Sequence, residues 1–519
     1  MGTQNKYKKS KQKIFSSSQK IISILYLLIF VVILLVVLCF NWIPHCSNKN
    51  LLLPNIVSLL ISLIVSCIFY YIFKNIHIDR KTFRTIVIVT FSILYLAQLF
   101  VLYFSYFKTG WDAYYVNTLA DQVAEQGTFT TAGSDPYLTI SSNNILIVAI
   151  LAFIKSLPII GSKYFTILAI NALLVNIAGI LTCLTIKNLI SNKAGIMSIF
   201  ITTPLLLLSP WIIVPYSDTF TIAIPILIFF IYISTKKWWK YGFILFFGII
   251  GYSIKPTTII MLIAILFIEL LNRRWRKPKF NQTFWLRTLA ITNGIFLAFL
   301  IKYVSYSHIN YHQVEDVTQT SAIHYLAMGQ NDATCGQFSQ SDFDEMSYGT
   351  EFEIQKFCNR IVGRSFKDQA TFFTKKLLTN FNDGTFAWEG EGSFYYEVPE
   401  RNNLISDTIT SFYRSDKKYN SWFIQLEQSL WLFVLLGCIF MVKKSPSREE
   451  SVLELSLIVL FLFVMLFEAH ARYLFCFAPI FITCAMLGFY NFKEQLINNP
   501  KLAKIYKRPK KKVNRNTSS

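Results

Sequence analysis

At 519 residues, 53% hydrophobic and only 15% charged, with 47 Phe and 27 Tyr, the chain is too apolar for a string of soluble domains. Its many nearly uncharged windows of about eighteen residues or more can each cross a hydrocarbon layer roughly 30 Å thick. A net charge of +21 invites a nucleic-acid reading, but the basic residues fall in short clusters beside apolar runs, at 6–20, 74–84, 236–240, 273–279, 443–448 and 510–515; this positive-inside pattern excludes nucleic acid as the partner and points to membrane lipids.

In chain order, residues 1–20 read as a basic cytoplasmic tail and 21–107 as three spans, at 21–42, 52–73 and 84–107. The first apolar run lacks a small-residue cleavage site and is expected to be retained. Residues 108–163 form the first long polar stretch, beginning KTGWDAYYVNTLADQVAEQG. Within it, 113–126 reads as an amphipathic surface helix with Tyr115, Leu119 and Gln122 on one side. Asp112 then lies where a span meets that helix, partly desolvated and suited to taking a proton from a hydroxyl. The competing reading is a carboxylate that caps the helix.

The next run, 145–160, carries Lys155 and Pro158 and is short for a crossing. If it crossed, Lys187 and Lys193 would fall outside. If it re-enters or lies along the outer face, every later basic cluster is inside, and that reading is adopted. A transmembrane core over 164–306, a large exterior loop domain at 307–421, C-terminal spans over 422–490 and a basic tail at 491–519 complete the chain. The expected fold is an all-α polytopic membrane protein with about twelve transmembrane helices, an extracytoplasmic loop domain of mixed α/β or α-rich structure, and both termini cytoplasmic.

Most of the nine cysteines lie in apolar runs, but Cys335 and Cys358 share the polar loop and are a candidate disulfide. No CxxC, HExxH, phosphate-binding glycine loop or GxSxG occurs, so zinc, nucleotide and serine-hydrolase chemistries have no motif. With this topology, ionisable groups from separate stretches converge on the outer boundary: Asp112, Asp218 in PWIIVPYSDTF, Lys255 in GYSIKPTT, and Glu468, His470 and Arg472 in FEAHARYLF. Charges at that depth are costly and mark function by default. Each has a structural competitor: snorkelling for Lys255, helix capping for Asp218, and an i,i+4 bridge between Glu468 and Arg472. The loop aromatics Phe381, Phe386, Trp388, Phe394, Tyr395 and Tyr396 suit sugar faces or membrane anchoring.

These residues carry a resemblance. A first exterior loop with WDAYY near its start and Asn143-Asn144 before a short apolar helix, then SPWIIVPYSDTF, GIIGYSIKPTTII and EAHARYLFCFAPIF, resembles the GT-C membrane glycosyltransferases. The likeness is to the branch holding protein O-mannosyltransferases and lipid A aminoarabinose transferases. It covers most of the chain by order of elements. The chain departs from that branch in having Ala113 after Asp112, where paired acidic residues are frequent, and in two extra N-terminal spans. The resemblance implies an inverting transfer from a polyprenyl-phosphate sugar to a cell-envelope acceptor at the outer face of the cell membrane. Asp112 would be the base, with Asp218 beside it, and Lys255 and Arg472 would hold the donor phosphate. Trp111, Tyr115, Tyr216, Tyr252, Glu468 and His470 would support the site. No cofactor is expected, and no metal, because two carboxylates are few ligands for a hard divalent ion. The rivals are a lipid-linked sugar flippase or transporter, for which no inverted repeat is visible, and a non-catalytic envelope-assembly protein.

Overall fold

The computed structural model describes residues 2–40, 51–126, 136–158, 162–272, 282–309, 314, 317–392, 394–401 and 403–498, with side chains from residue 16. The basic cluster at 273–279, the tail beyond 498 and loop residues 127–135 lie outside the described residues. The order of elements is α1 (Gly2–Cys39), α2 (Asn55–Phe73), α3 (Arg80–Ser105), β1 (Lys108–Thr109), α4 (Trp111–Gln126), α5 (Pro136–Ile140), α6 (Ile145–Ser156), α7 (Lys163–Leu189), α8 (Asn192–Thr202), α9 (Ser217–Phe220), α10 (Ala223–Ser234), α11 (Lys240–Ile254) and α12 (Ile259–Asn272). There follow α13 (Gln282–Ile309), α14 (Ala322–Met328), α15 (Gln340–Asp344), α16 (Thr350–Val362), α17 (Phe366–Phe381), β2 (Tyr395–Glu397), α18 (Leu404–Tyr413), α19 (Asn420–Phe440), α20 (Arg448–Leu466) and α21 (Ala478–Asn498).

Among the described residues eight helices are long and apolar enough to cross a membrane: Ser16–Cys39, Asn55–Phe73, Arg80–Ser105, Lys163–Leu189, Ser217–Ser234, Gln282–Ile309, Asn420–Phe440 and Ala471–Ile497. Four shorter apolar helices, Ser142–Ser156, Asn192–Leu207, Lys240–Ile254 and Pro256–Asn272, join them. Local chemistry sets the ends. Ser447 and Glu450 form a reciprocal capping box that opens α20, at 3.1 and 2.7 Å. Pro256, which cannot continue a ladder, follows the end of α11.

Side-chain bonds tie the two ends of the bundle separately. At one end Gln19 donates to the Ser451 hydroxyl at 2.9 Å, and Ser23 donates to Glu454 at 2.6 Å. At the other, Asn55 donates to the Asn382 side-chain oxygen at 3.0 Å, and Gln428 donates to the same oxygen at 3.1 Å. This second end carries the polar segments. Helix α6 has 12 residues, about 18 Å of helix. Its start is tied through Asn144 to Tyr137, and its end through Lys155, which bonds the Asn117 carbonyl at 2.8 Å and Asp121 at 2.7 Å. Both ends of α6 therefore lie against the first polar loop.

Among the described residues the segment between α13 and α19 is α-rich, with one short strand. That strand, β2, pairs antiparallel with β1, Lys108 opposite Glu397 and Thr109 opposite Tyr395, so the large loop and the first loop are stitched together. Residues 381–388 plunge into the bundle, with Trp388 and Phe386 packed against Trp211, Trp431 and Phe475. Each buried indole N–H finds a carbonyl: Trp211 to Thr385 at 3.1 Å, Trp388 to Tyr413 at 2.8 Å, Trp431 to Phe381 at 2.8 Å. Cys335 and Cys358 do not pair. Cys335 is buried in a left-handed turn, Cys358 is exposed on α16, and both thiols are free.

Candidate functional site

The chain leaves β1 through Gly110, whose N–H donates to the Phe394 carbonyl at 3.1 Å, and enters α4 through Trp111 at φ 49°. A left-handed tryptophan is strained, as are Phe386 and Ala387 at φ 55° and 64°, and strain of this kind persists where surrounding structure holds a functional geometry. Trp111 is held by its indole N–H on the Glu391 carbonyl at 2.9 Å and by an edge contact with Tyr216.

Asp112 thus stands in the first turn of α4, yet its carboxylate caps no backbone N–H among the described residues. It accepts instead from the Tyr137 hydroxyl at 3.1 Å and the Tyr216 hydroxyl at 3.4 Å. Asn144, at the start of α6, donates to both phenol oxygens, at 2.6 and 3.2 Å. Burial first, and then neighbouring negative charge, pushes both phenols well above their usual range. They remain protonated donors and leave Asp112 as the acceptor.

The segment after α20 runs extended and then as a 3-10 turn over Ala471–Phe477. That path defeats the expected i,i+4 bridge between Glu468 and Arg472, which needs α-helical spacing. His470 instead sits between two carboxylates, its Nδ1 2.8 Å from Glu391 and its Nε2 2.9 Å from Glu468. Burial opposes its charge, but Glu391 and Glu468 overcome it and raise His470 to about 10. Burial likewise opposes the Glu468 anion, and His470, the Tyr473 hydroxyl at 2.9 Å and Arg472 hold it below the usual carboxylate range. Arg472 places its Nε 3.0 Å from Glu391 and its guanidinium 4.5 Å above the Trp111 ring, a stacked arrangement open to arginine and not to lysine. None of its nitrogens makes a hydrogen bond among the described residues, and Nε is buried without one despite the ion pair.

Lys255, at the C-terminal end of α11, reaches Asp218 in α9 and lies 4.6 Å from the Tyr473 ring. Both residues are buried, at 5% and 2% exposure, so Lys255 does not snorkel. Among the described residues Asp218 makes no cap either, and its second oxygen is buried without a partner. Asp112, Asp218, Lys255, Glu468, His470 and Arg472 therefore meet at one end of the bundle, with Trp111 and Tyr216 between them. Tyr115 sits at the rim, stacked on Tyr137. Tyr252, on α11, is 49% exposed, and among the described residues no hydrogen bond or ring contact joins it to these groups. Glu391, which joins His470 to Arg472, escaped the sequence reading, as did Tyr137 and Tyr473. Glu391 lies in WEGEGSFYY, a stretch with no periodicity, and only its position between glycines amid aromatics distinguishes it. Among the described residues no three His, Cys, Asp or Glu side chains converge on one point as metal ligands would.

No curated protein matches the chain. The family described as conserved hypothetical integral membrane protein matches residues 14–492, nearly the whole length, and the chain belongs to that family.

Proposed function

We propose that this protein is an integral-membrane glycosyltransferase that moves a sugar from a polyprenyl-phosphate donor to a hydroxyl on a cell-envelope glycopolymer, lipid or protein. The observation that carries the reading is the juxtaposition of an accepting carboxylate, Asp112, with a buried guanidinium, Arg472, at the same Tyr216, whose hydroxyl lies 3.4 Å from Asp112 and whose ring lies 5.9 Å from the guanidinium. In the reaction the acceptor O–H gives its proton to Asp112 as its oxygen attacks the anomeric carbon. The bond from that carbon to the donor phosphate breaks, and the phosphate leaves with the charge. Such a base contributes roughly 10²- to 10⁴-fold. The terminal nitrogens of Arg472 suit two phosphate oxygens, and Lys255 adds a point charge. The partnerless oxygen of Asp218 is an acceptor for an incoming hydroxyl.

The eight long helices with α8, α11, α12 and α20 then make about twelve crossings, α6 lies along the outer face, both termini are cytoplasmic, and the site opens outside.

The test is complementation of a deletion strain with Asp112→Asn, scoring membrane expression and the sugar composition of purified envelope polymers. Asn keeps the shape of the carboxylate without its basicity. The expected result is normal expression with one glycan substituent missing; unchanged glycans refute the assignment. One observation favours a transporter: Glu427 and Glu454 are buried within α19 and α20, and ionisable groups inside spans mark ion pathways. On that reading Asp112→Asn is silent and Glu454→Gln stops movement of a lipid-linked sugar. On a purely assembly-related reading both are silent.

A further inference from the structure

A cavity of about 180 Å³, whose lining does not include Asp112, is walled by the end of α3, by β2 and by α18. Phe107, Tyr395 and Tyr413 form its apolar sides, and Arg401, Arg414 and Lys417 bring three cations to it against the one carboxylate of Asp407. Arg414 lies 3.1 Å from Asp416, with Lys417 at 4.0 Å from the same carboxylate. Arg401 has no carboxylate partner among the described residues. Its guanidinium stacks 4.2 Å from the Tyr106 ring and Nη1 donates to the Tyr106 carbonyl at 3.1 Å, but among the described residues Nη2 is buried with no acceptor. A buried guanidinium donor left unmade is costly, and Arg401, which lines the cavity, relieves it by turning Nη2 onto an anion held there.

The cavity also sits at the level of the bilayer surface. Ser406 of α18 donates to the carbonyl of Phe104, in the last turn of the α3 span, at 2.6 Å. The neighbouring Leu404 and Ile405 are 82% and 47% exposed, as on a helix that rests its apolar residues in lipid.

We infer that this cavity binds a phosphate group, carried by an anionic lipid headgroup or by a soluble phosphate. Arg401 is the anchoring donor, Arg414 is the second, shared with Asp416, and Lys417 is the rim charge. This site is independent of the chemistry at Asp112. The two are linked mechanically, because β2 pairs with the strand that delivers Trp111 and Asp112.

The experiment uses full-length protein purified in an uncharged detergent. In one arm inorganic phosphate is titrated calorimetrically. In the other, protein in phosphatidylcholine nanodiscs with and without phosphatidylglycerol is analysed for retained lipid by native mass spectrometry. Saturable binding in the first arm identifies a soluble phosphate as a ligand, and selective retention of phosphatidylglycerol alone identifies the lipid. Arg401→Gln weakens whichever is seen by roughly tenfold or more, the loss of one charge-assisted bond. Should Arg401→Gln not fold, Arg414→Gln reports the same loss from a position whose partner is on the surface. Absence of binding in both arms overturns the inference, as does binding that both variants leave unchanged.

Discussion

Two opposed proton linkages bear on the loop that carries Arg472, and each can be exposed by removing the other. His470, raised to about 10 from 6.5 by Glu391 and Glu468, binds its proton more tightly folded than unfolded. It contributes stability that is fully present below pH 6.5 and lost as pH rises to 10. Lys376 is buried at the junction of α17 with that loop, bonding the Gly329 carbonyl and, at 2.7 Å, the Phe467 carbonyl. Burial lowers it to about 7 from 10.5. The unfolded chain binds more protons between those values, so this linkage makes stability rise with pH across nearly the same window. Each shift corresponds to about 5 kcal/mol, and in the wild type the two slopes largely cancel.

Glu391→Gln removes one of the two carboxylates holding His470 and should erase about 2 kcal/mol of its linkage, within a total loss of about 3–5 kcal/mol for breaking a buried pair. Its deficit against wild type is greatest below pH 6.5 and shrinks toward pH 10. Lys376→Met leaves two carbonyls unmet, about 1–3 kcal/mol, but relieves the cost of the buried amine, so its deficit grows with pH from 7 to 10.5. Unfolding in mixed micelles at four or five pH values measures both. Deficits that do not depend on pH, or that trend the same way in both variants, refute the assignment of these charges.

Arg472→Lys keeps the charge and loses the stacking and the fork; it should fold and lose roughly 10- to 100-fold in transfer activity, the equivalent of one charge-assisted bond, measured in membranes from the complemented strain. Gly488→Ala would drive a Cβ into the Gly437 carbonyl oxygen, backbone that cannot yield. This overpacked crossing of α19 and α21 should cost about 1–3 kcal/mol, read as a lowered unfolding midpoint with the same glycan products.

Much of this was legible because membrane proteins write their constraints in composition. Apolar runs and basic clusters locate the helices, and costly charges at span ends announce a site. Asp112, Asp218, Lys255 and Arg472 meet for that reason. What failed depended on local path. Glu468 and Arg472 have the spacing of a bridge, but the chain there is extended and then a 3-10 turn, so the spacing means nothing. Tyr252 stands three residues from Lys255, but α11 ends at Ile254 and Lys255 leaves in extended backbone, so helical spacing does not relate them, and Tyr252 is exposed where Lys255 is buried. Glu391 is reached only because β2 and the buried tryptophans fold residues 381–397 back over the first loop, a long-range pairing no local pattern encodes.

The site is closed upon itself by ion pairs: Lys255 on Asp218, Arg472 on Glu391, His470 between Glu391 and Glu468. Charges buried in this way stay affordable only while partnered, so a phosphate that takes Lys255 must release Asp218, and the released carboxylate needs a donor at once. On the proposed function that donor is the acceptor hydroxyl, which couples arrival of one substrate to orientation of the other. Asp218→Asn separates the two effects. Lys255 loses its competitor and the donor phosphate binds more tightly, while the acceptor loses its guide. KM for the lipid-linked sugar should fall by roughly threefold or more, the scale of one ordinary net hydrogen bond, and kcat by roughly tenfold or more, the scale of one hydrogen bond to a charged group. A KM that rises would mean that Asp218 holds Lys255 ready for the phosphate and does not compete with it.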